Sequence, residues 1–324
     1  MSKRLLALSV LSVSAISVTT VLLAPATVAA PSTNPSEIST IGGLDAGELA
    51  VTLTAAPSRP DAPRPTGRAG SDALPPDHPW WNLQLNLCNS GHAGCYEGGQ
   101  SIPEAVGVIG EWYPDVVTVN EVCRSDVDNV LFPAMSNTWS MDWTFAVFMP
   151  AWSVNRQTGQ PIGPIQCTGG RGDYGNAVMG HVFAEDYAGV NGYGGIYSWQ
   201  ATGTGEWRSW ACGAALANYV ACSTHLSSDN GTAAMAQCNE LMGTRVPWVW
   251  SQIGGYRSTV VGGDFNLKYG GSPNIQTCVP SGWYRKGDGD VQHWFVRNEF
   301  AFDFTREIGL DHTDHPGWLV ATIT

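Results

Sequence analysis

From about residue 80 onward the chain is built of short apolar runs, most with a period of two and fewer with a period near 3.6. Residues 81–87 alternate as a strand does. Residues 103–113 read as a helix, with Pro103 in the first turn, where its missing N–H costs little. Residues 116–119 form a continuous apolar run, expected to be a buried strand. Further strands are predicted at 143–149, 176–183, 216–223, 258–261, 291–296 and 318–323. Residues 232–253 carry Met235, Cys238, Met242, Val246, Val249 and Ile253 at helical spacing, with a kink expected at Pro247. Strands outnumber helices and both periods occur, which points to an α/β or α+β domain rich in sheet.

The first eighty residues lack this pattern. Lys3 and Arg4 precede an apolar stretch over 5–23, and small residues follow at Val28-Ala29-Ala30. Residues 1–30 therefore read as a secretory signal peptide. Residues 31–79 are rich in Pro, Ala, Ser, Thr and Gly and hold no aromatic residue. They are expected to be a disordered linker or propeptide, with the domain spanning 80–324. No later stretch has the ~18 consecutive apolar residues of a membrane span, so no stable membrane insertion is expected. The expected product is a secreted monomer.

Charge narrows the function. The chain has 16 Lys and Arg against 28 Asp and Glu, a net of -12. Lys3 and Arg4 would leave with the signal and no acid would, giving 14 against 28, or -14. A protein that holds nucleic acid by releasing counterions presents a basic surface, and this chain has no overall basic excess. An enzyme that meets a phosphate through a metal remains open. Eight cysteines in a secreted chain predict four disulfides, and the absence of a C-x-x-C pair disfavours zinc. Short loops and hairpins suggest Cys88–Cys95, Cys123–Cys167, Cys212–Cys222 and Cys238–Cys278.

Chemically able residues recur just past strand ends: Asn86, Glu121, His225, Asp264 with Asn266, and Asp314 with His315. Strand ends are where α/β sheets place ligands. Asn86, Glu121 and Asp314 offer hard oxygen ligands suited to Mg²⁺, with Mn²⁺ or Ca²⁺ as alternatives. His225 and His315 can move protons near neutral pH. Asp264 and Asn266 can orient a water or a phosphoryl oxygen. The set suits metal-assisted attack of water on a phosphate ester. No G-x-S-x-G elbow supports acyl transfer. Arg124 and Asn176 are candidates for touching substrate, with a surface salt bridge and a plain turn as their other readings. His181 and His293 read as structural or surface residues, with His293 also a minor site candidate. Trp80, Trp81 or Trp283 could form a substrate platform.

The blocks Leu85-Asn86, Asn120-Glu121-Val122, Tyr174-Gly175-Asn176-Ala177, Ser223-Thr224-His225-Leu226, Gly263-Asp264-Phe265-Asn266 and Thr313-Asp314-His315-Pro316 together resemble the endonuclease/exonuclease/phosphatase superfamily, which includes deoxyribonucleases, sphingomyelinases and inositol phosphatases. The resemblance spans residues 80–324. It implies an α/β four-layered sandwich of two packed sheets flanked by helices. It implies that Glu121, with Asn86 and Asp314, holds the metal and that His315 acts as general base. It gives His225 a hydrogen bond or proton for the phosphate, and Asp264 and Asn266 the water. The expected activity is a phosphodiesterase, first an extracellular nuclease. A sphingomyelinase-type phospholipase and a weakly active, toxin-like binding module are the alternatives. One position departs from the pattern: Gln292 stands where the family has an Asp that orients the last histidine. Asp290 or Asp303 could supply that charge instead.

Overall fold

The computed structural model describes residues 38–40, 46–54 and 79–323. Among them, two seven-stranded mixed sheets face one another. The first runs, in spatial order, Ala301–Ile308, Gly317–Ile323, Trp80–Asn86, Val116–Cys123, Tyr174–Val182, Trp143–Pro150 and Val51–Thr54. The second runs Trp283–Gly287, Gln292–Arg297, Ser258–Asp264, Tyr219–His225, Ser209–Ala215, Val190–Ile196 and Gly47–Leu49.

Alternation along each strand builds the layers. Leu83, Leu85, Val117 and Val119 point out of the first sheet onto the helices Ser101–Trp112 and Phe132–Thr138. Val220, Cys222 and Val261 point out of the second sheet onto Gly231–Glu240 and Val246–Gln252. Trp80, Val116, Tyr219, Ala221, Val260 and Trp294 fill the space between the sheets. Four layers result, as the resemblance implies. The positions that follow in step on those inner faces are polar and buried: Asn82, Gln84 and Asn86, then Thr118 and Asn120, then Ser223 and His225, then Asp264. The inter-sheet interior is thus apolar at one end and polar at the other. The sheets approach closely between these ends, because a Cβ on Gly262 would lie 2.5 Å from the Thr118 hydroxyl and 2.7 Å from the Trp294 ring.

Several boundaries move. The strand expected at 216–223 is Tyr219–His225. Residues 216–218 are instead the turn that pairs it with Ser209–Ala215. The helix expected over 232–253 is Gly231–Glu240, a π-turn at Leu241–Arg245, and Val246–Gln252. The kink takes this form because Pro247 has no N–H and crowds the carbonyl four residues back, which a wider turn relieves. Val127–Leu131 is widened in the same way ahead of Pro133. Part of the segment expected to be a disordered linker is ordered. Gly47–Leu49 and Val51–Thr54 close one edge of each sheet by pairing with Val190–Ile196 and Trp143–Pro150. Backbone ladder bonds order this stretch despite its lack of aromatic side chains. Ile38–Thr40 also pairs, with Trp199–Ala201. Residues 1–30, expected to be a signal peptide, and residues 31–37, 41–45 and 55–78 of the expected linker lie outside the described residues. Among the described residues no helix is long and apolar enough to cross a membrane. All eight cysteines are paired as expected.

Candidate active site

Each sheet holds one parallel pair of strands, joined through helices. Trp80–Asn86 lies parallel to Val116–Cys123, with Asn86 opposite Asn120. Tyr219–His225 lies parallel to Ser258–Asp264, with His225 opposite Asp264. The carboxyl ends of both pairs reach the polar end of the interior. There the first sheet departs from regular pairing. One extra residue sits between Val119 and Val122, and Glu121 takes φ 54°. That conformation costs a non-glycine residue about 1–2 kcal/mol and re-aims its side chain off the strand axis.

Asn120 ties the two sheets together. Its oxygen accepts from Gln84 Nε2 at 2.7 Å and from the Asp264 backbone N–H at 2.8 Å. Its amide donates to Asn176 Oδ1 at 3.0 Å and to the Thr224 carbonyl at 2.8 Å. Asn86 Nδ2 donates to Glu121 Oε1 at 3.2 Å and Asp264 Oδ2 at 3.0 Å, so one amide bridges both acids. His225 Nε2 lies 3.8 Å from Glu121 Oε1 and 4.0 Å from Asp264 Oδ2. His315 Nε2 lies 3.6 Å from the same Asp264 oxygen. Glu121, Asp264, His225 and His315 therefore cluster at this polar end, and of the four Glu121 lines the adjoining cavity.

Arg208, at the mouth of strand Ser209–Ala215, carried no motif and was not anticipated. It is buried, with Nη1 2.8 Å from His225 Nδ1 and 3.0 Å from Glu206 Oε1, and Nη2 donates to Ser228 Oγ at 3.1 Å. Its guanidinium changes the protonation of its neighbours. Burial, then Arg208 and His315, hold His225 well below the usual histidine range. Both ring nitrogens lie near the Arg208 guanidinium, Nε2 at 3.2 Å, and this setting disfavours the imidazolium form of His225. Burial pushes the Glu121 carboxyl up to about 7, against the pull of Arg208. Burial also raises Asp264, opposed by His315.

Solved structures share this architecture. An endonuclease/exonuclease/phosphatase from Beutenbergia cavernae superposes with TM-score 0.50 at 15% identity, over 76% of this chain and 71% of that one. The human Nocturnin catalytic domain, with bound sulfate, gives 0.47 at 14% identity over 76% and 95%. An endonuclease/exonuclease/phosphatase from Bacteroides vulgatus gives 0.47 at 13% over 76% and 98%. The chain has the endonuclease/exonuclease/phosphatase fold. No protein-family model and no curated protein matches the sequence.

Within this fold the other expected residues fall in different places. Asn266 lies beside Asp264: its backbone N–H donates to Asp264 Oδ1 at 2.9 Å and its side chain to the Leu226 carbonyl at 2.9 Å. Asn86 turns its amide nitrogen toward the acids and its oxygen toward the Cys88 N–H, so here it bridges carboxylates rather than offering an oxygen ligand. Asp314 is 54% exposed, 3.8 Å from His315 Nε2, and stands against the Cys88–Cys95 disulfide. Of the three expected metal ligands, Glu121 is the one that lines the large cavity described below. Asn176 is 2% exposed and donates to Ser209, so it joins the sheets instead of facing a substrate. Arg124 pairs with Asp128 at 2.9 Å and lies over Phe148, away from the cleft. Gln292 is buried opposite Asp264; its amide donates to the Pro316 carbonyl and its oxygen has no partner among the described residues. Asp290 pairs with Lys268 at the surface and Asp303 is exposed, so neither takes the expected Asp's place. His181 and His293 are buried, as their structural reading requires, and Trp80 and Trp283 are core residues rather than a platform.

Proposed function

We propose that this chain is a divalent-metal-dependent hydrolase of phosphate esters, with Mg²⁺ as the ion and Mn²⁺ or Ca²⁺ as substitutes. The carrying observation is the meeting of Glu121, Asp264, His225 and His315 at the carboxyl ends of two facing parallel strand pairs. The donor set fits a hard cation. Glu121 is a desolvated carboxylate bared to the cavity, and among the described residues no side chain other than the Asn86 amide donates to it. Mg²⁺ prefers one or two carboxylates and keeps its waters. Glu121 would hold it, with Asp314 as the nearer-solvent acid. Once bound, such an ion supplies positive charge to a phosphoryl oxygen.

The chain's own groups do the rest. Asp264, fixed by Asn86, Asn120 and Asn266, accepts a hydrogen bond from the attacking water and holds its direction. His315, partly exposed beside Asp264, takes the water's proton. The neutral His225 donates an N–H to the phosphoryl group, and Arg208 places a permanent positive charge behind it. The four disulfides suit an oxidising compartment, which supports the exported reading.

The test is hydrolysis of bis(p-nitrophenyl) phosphate by the purified chain with Mg²⁺. EDTA should abolish turnover, and His315→Ala should lower kcat at least about a hundredfold. Turnover that survives either change would overturn the proposal.

A further inference from the structure

We propose that the cavity beside Glu121 and Arg208 seats the leaving group, and that the substrate is a compact, hydroxyl-rich phosphate ester of the sugar-phosphate or inositol-phosphate kind, not a nucleic acid strand. This rests on the phosphoesterase reading of the same cleft. The step is ordinary hydrolysis: the water oxygen joins phosphorus as His315 takes one of its protons, the bond from phosphorus to the ester oxygen breaks, and the alkoxide leaves as the alcohol after taking up a proton from solvent water.

The size of the cavity is the first argument. It holds about 700 Å³, within the ~300–1,000 Å³ typical of small-molecule sites. Its walls are the second. Arg208 donates to the Ser228 hydroxyl, which leaves that hydroxyl's hydrogen to point at a ligand. Glu206 and Asp229 line the same space and accept from hydroxyl groups. At the outer edge stands Arg156, exposed and without an ion pair among the described residues. It lies across Gly205, where a Cβ would come within 3.1 Å of its Nε and 3.2 Å of Nη2. The bare backbone of Gly205 is what lets the guanidinium lie there. A polyol between two acids and two guanidiniums can be bound through many hydrogen bonds at once.

The same walls do not suit the other candidates. A nucleic acid strand carries a phosphate about every 3.4 Å and needs a basic track with aromatic faces for its bases. Here Glu206 and Asp229 would meet those phosphates, and Tyr174, which lines the cavity, is only 6% exposed. A lipid tail would have to lie on polar side chains.

The experiment gives the full chain, with Mg²⁺, a set of sugar and inositol phosphates, plasmid and single-stranded DNA, sphingomyelin micelles and the reference diester bis(p-nitrophenyl) phosphate. The expected result is that at least one sugar or inositol phosphate exceeds DNA in kcat/KM by a hundredfold or more. Arg156→Ala should raise KM for that ester about tenfold with kcat changed less than about twofold, since a rim guanidinium binds without touching the reacting atoms. DNA or sphingomyelin as the best substrate, or an unchanged KM in the variant, would overturn the inference while leaving the phosphoesterase reading intact. Failure to cleave any phosphate ester offered, the reference diester included, would overturn both.

Discussion

The strand Val116–Cys123 carries an acid–imidazole cluster at each end, and the two differ in kind. At its start, Asp115 Oδ1 lies 3.2 Å from His181 Nδ1, and Asp142 lies 3.8 Å from the other ring nitrogen. At its finish, Glu121 and Asp264 lie 3.8 and 4.0 Å from His225. Residue types and spacings are nearly the same. The surroundings are not. The His181 ring stacks on Trp139 with centroids 3.7 Å apart and meets Phe183 edge-on, while Asp115 accepts the Trp81 N–H. His225 touches a guanidinium, and Glu121 opens onto a cavity. Two acids and a histidine are therefore a structural plug where aromatic rings cover them. They gain chemistry only where a fixed cation and room for a ligand accompany them.

The largest expected effect separates the two ends directly. Asp264→Asn should lower kcat/KM about a thousandfold, because an amide in place of this carboxylate misorients the groups it positions. Asp115→Asn should leave kcat/KM unchanged and lower the unfolding free energy by about 1–3 kcal/mol, the cost of leaving a buried polar partner unsatisfied. Steady-state kinetics and urea unfolding of both variants decide it. Equal losses of activity would mean that the ends do not differ in the way argued.

Asn120 comes next, since the polar end of the interior hangs on it. Asn120→Ala leaves the Asp264 N–H, the Gln84 amide and the Asn176 oxygen without this partner. Each buried orphan costs about 1–3 kcal/mol, so a loss of about 3 kcal/mol or more is expected in chemical denaturation. A loss below about 1 kcal/mol would show that the sheets are held together elsewhere.

Much of this was legible in the sequence, and the reasons for the remainder are physical. Strands buried on both faces announce themselves as apolar runs, and the residues just past them stood out for that reason. Short loops gave the disulfides. Val190–Ile196 was missed because Gly192, Gly194 and Gly195 hide its period, although backbone and side-chain neighbours fill the space beside each. Ala301–Ile308 was missed because it is a largely exposed edge strand whose alternation stops after Phe304, and Thr305, Arg306 and Glu307 follow in a row. The helical stretch over residues 124–138 was hidden by its π-turn and Pro133. Arg208 had no local signal at all. Its part in the site depends on His225, on the adjoining strand, and on Glu121, from the other sheet. Asn120 sat inside a quoted motif, but only the packing of two sheets reveals how many bonds it makes.

A smaller effect sharpens the comparison through pH. The Glu121 carboxyl is pushed from the usual 4.5 up to about 7 by burial. The folded chain thus holds this proton more tightly than the unfolded chain does. Its contribution to stability is full below about pH 4.5 and is lost as pH rises through about 7. A divalent cation held there, as proposed, would offset that loss by pairing with the ionised group. Mg²⁺ should raise the melting temperature by a few degrees near pH 8 and hardly at all near pH 5, where protons compete for the oxygen. Glu121→Gln should remove the difference in a thermal scan. A Mg²⁺ shift that persists in Glu121→Gln would place the cation elsewhere.

The smallest effect concerns a residue that sequence proximity favoured. Arg124 follows Glu121 by three positions, yet the bulge that turns Glu121 into the cleft leaves Arg124 at the start of a helical turn on the other side. Its Nε pairs with Asp128 four residues on, its guanidinium lies over Phe148, and the side chain is 37% exposed. An exposed pair of this spacing contributes about 0.5 kcal/mol or less. Arg124→Ala should therefore change stability within that range and leave kcat and KM as they are. A tenfold rise in KM for any cleaved phosphate ester would put Arg124 back among the substrate contacts. It would also mean that the helical turn after Cys123 rearranges when substrate binds, so that the active end of this strand is less fixed than the plug at its other end.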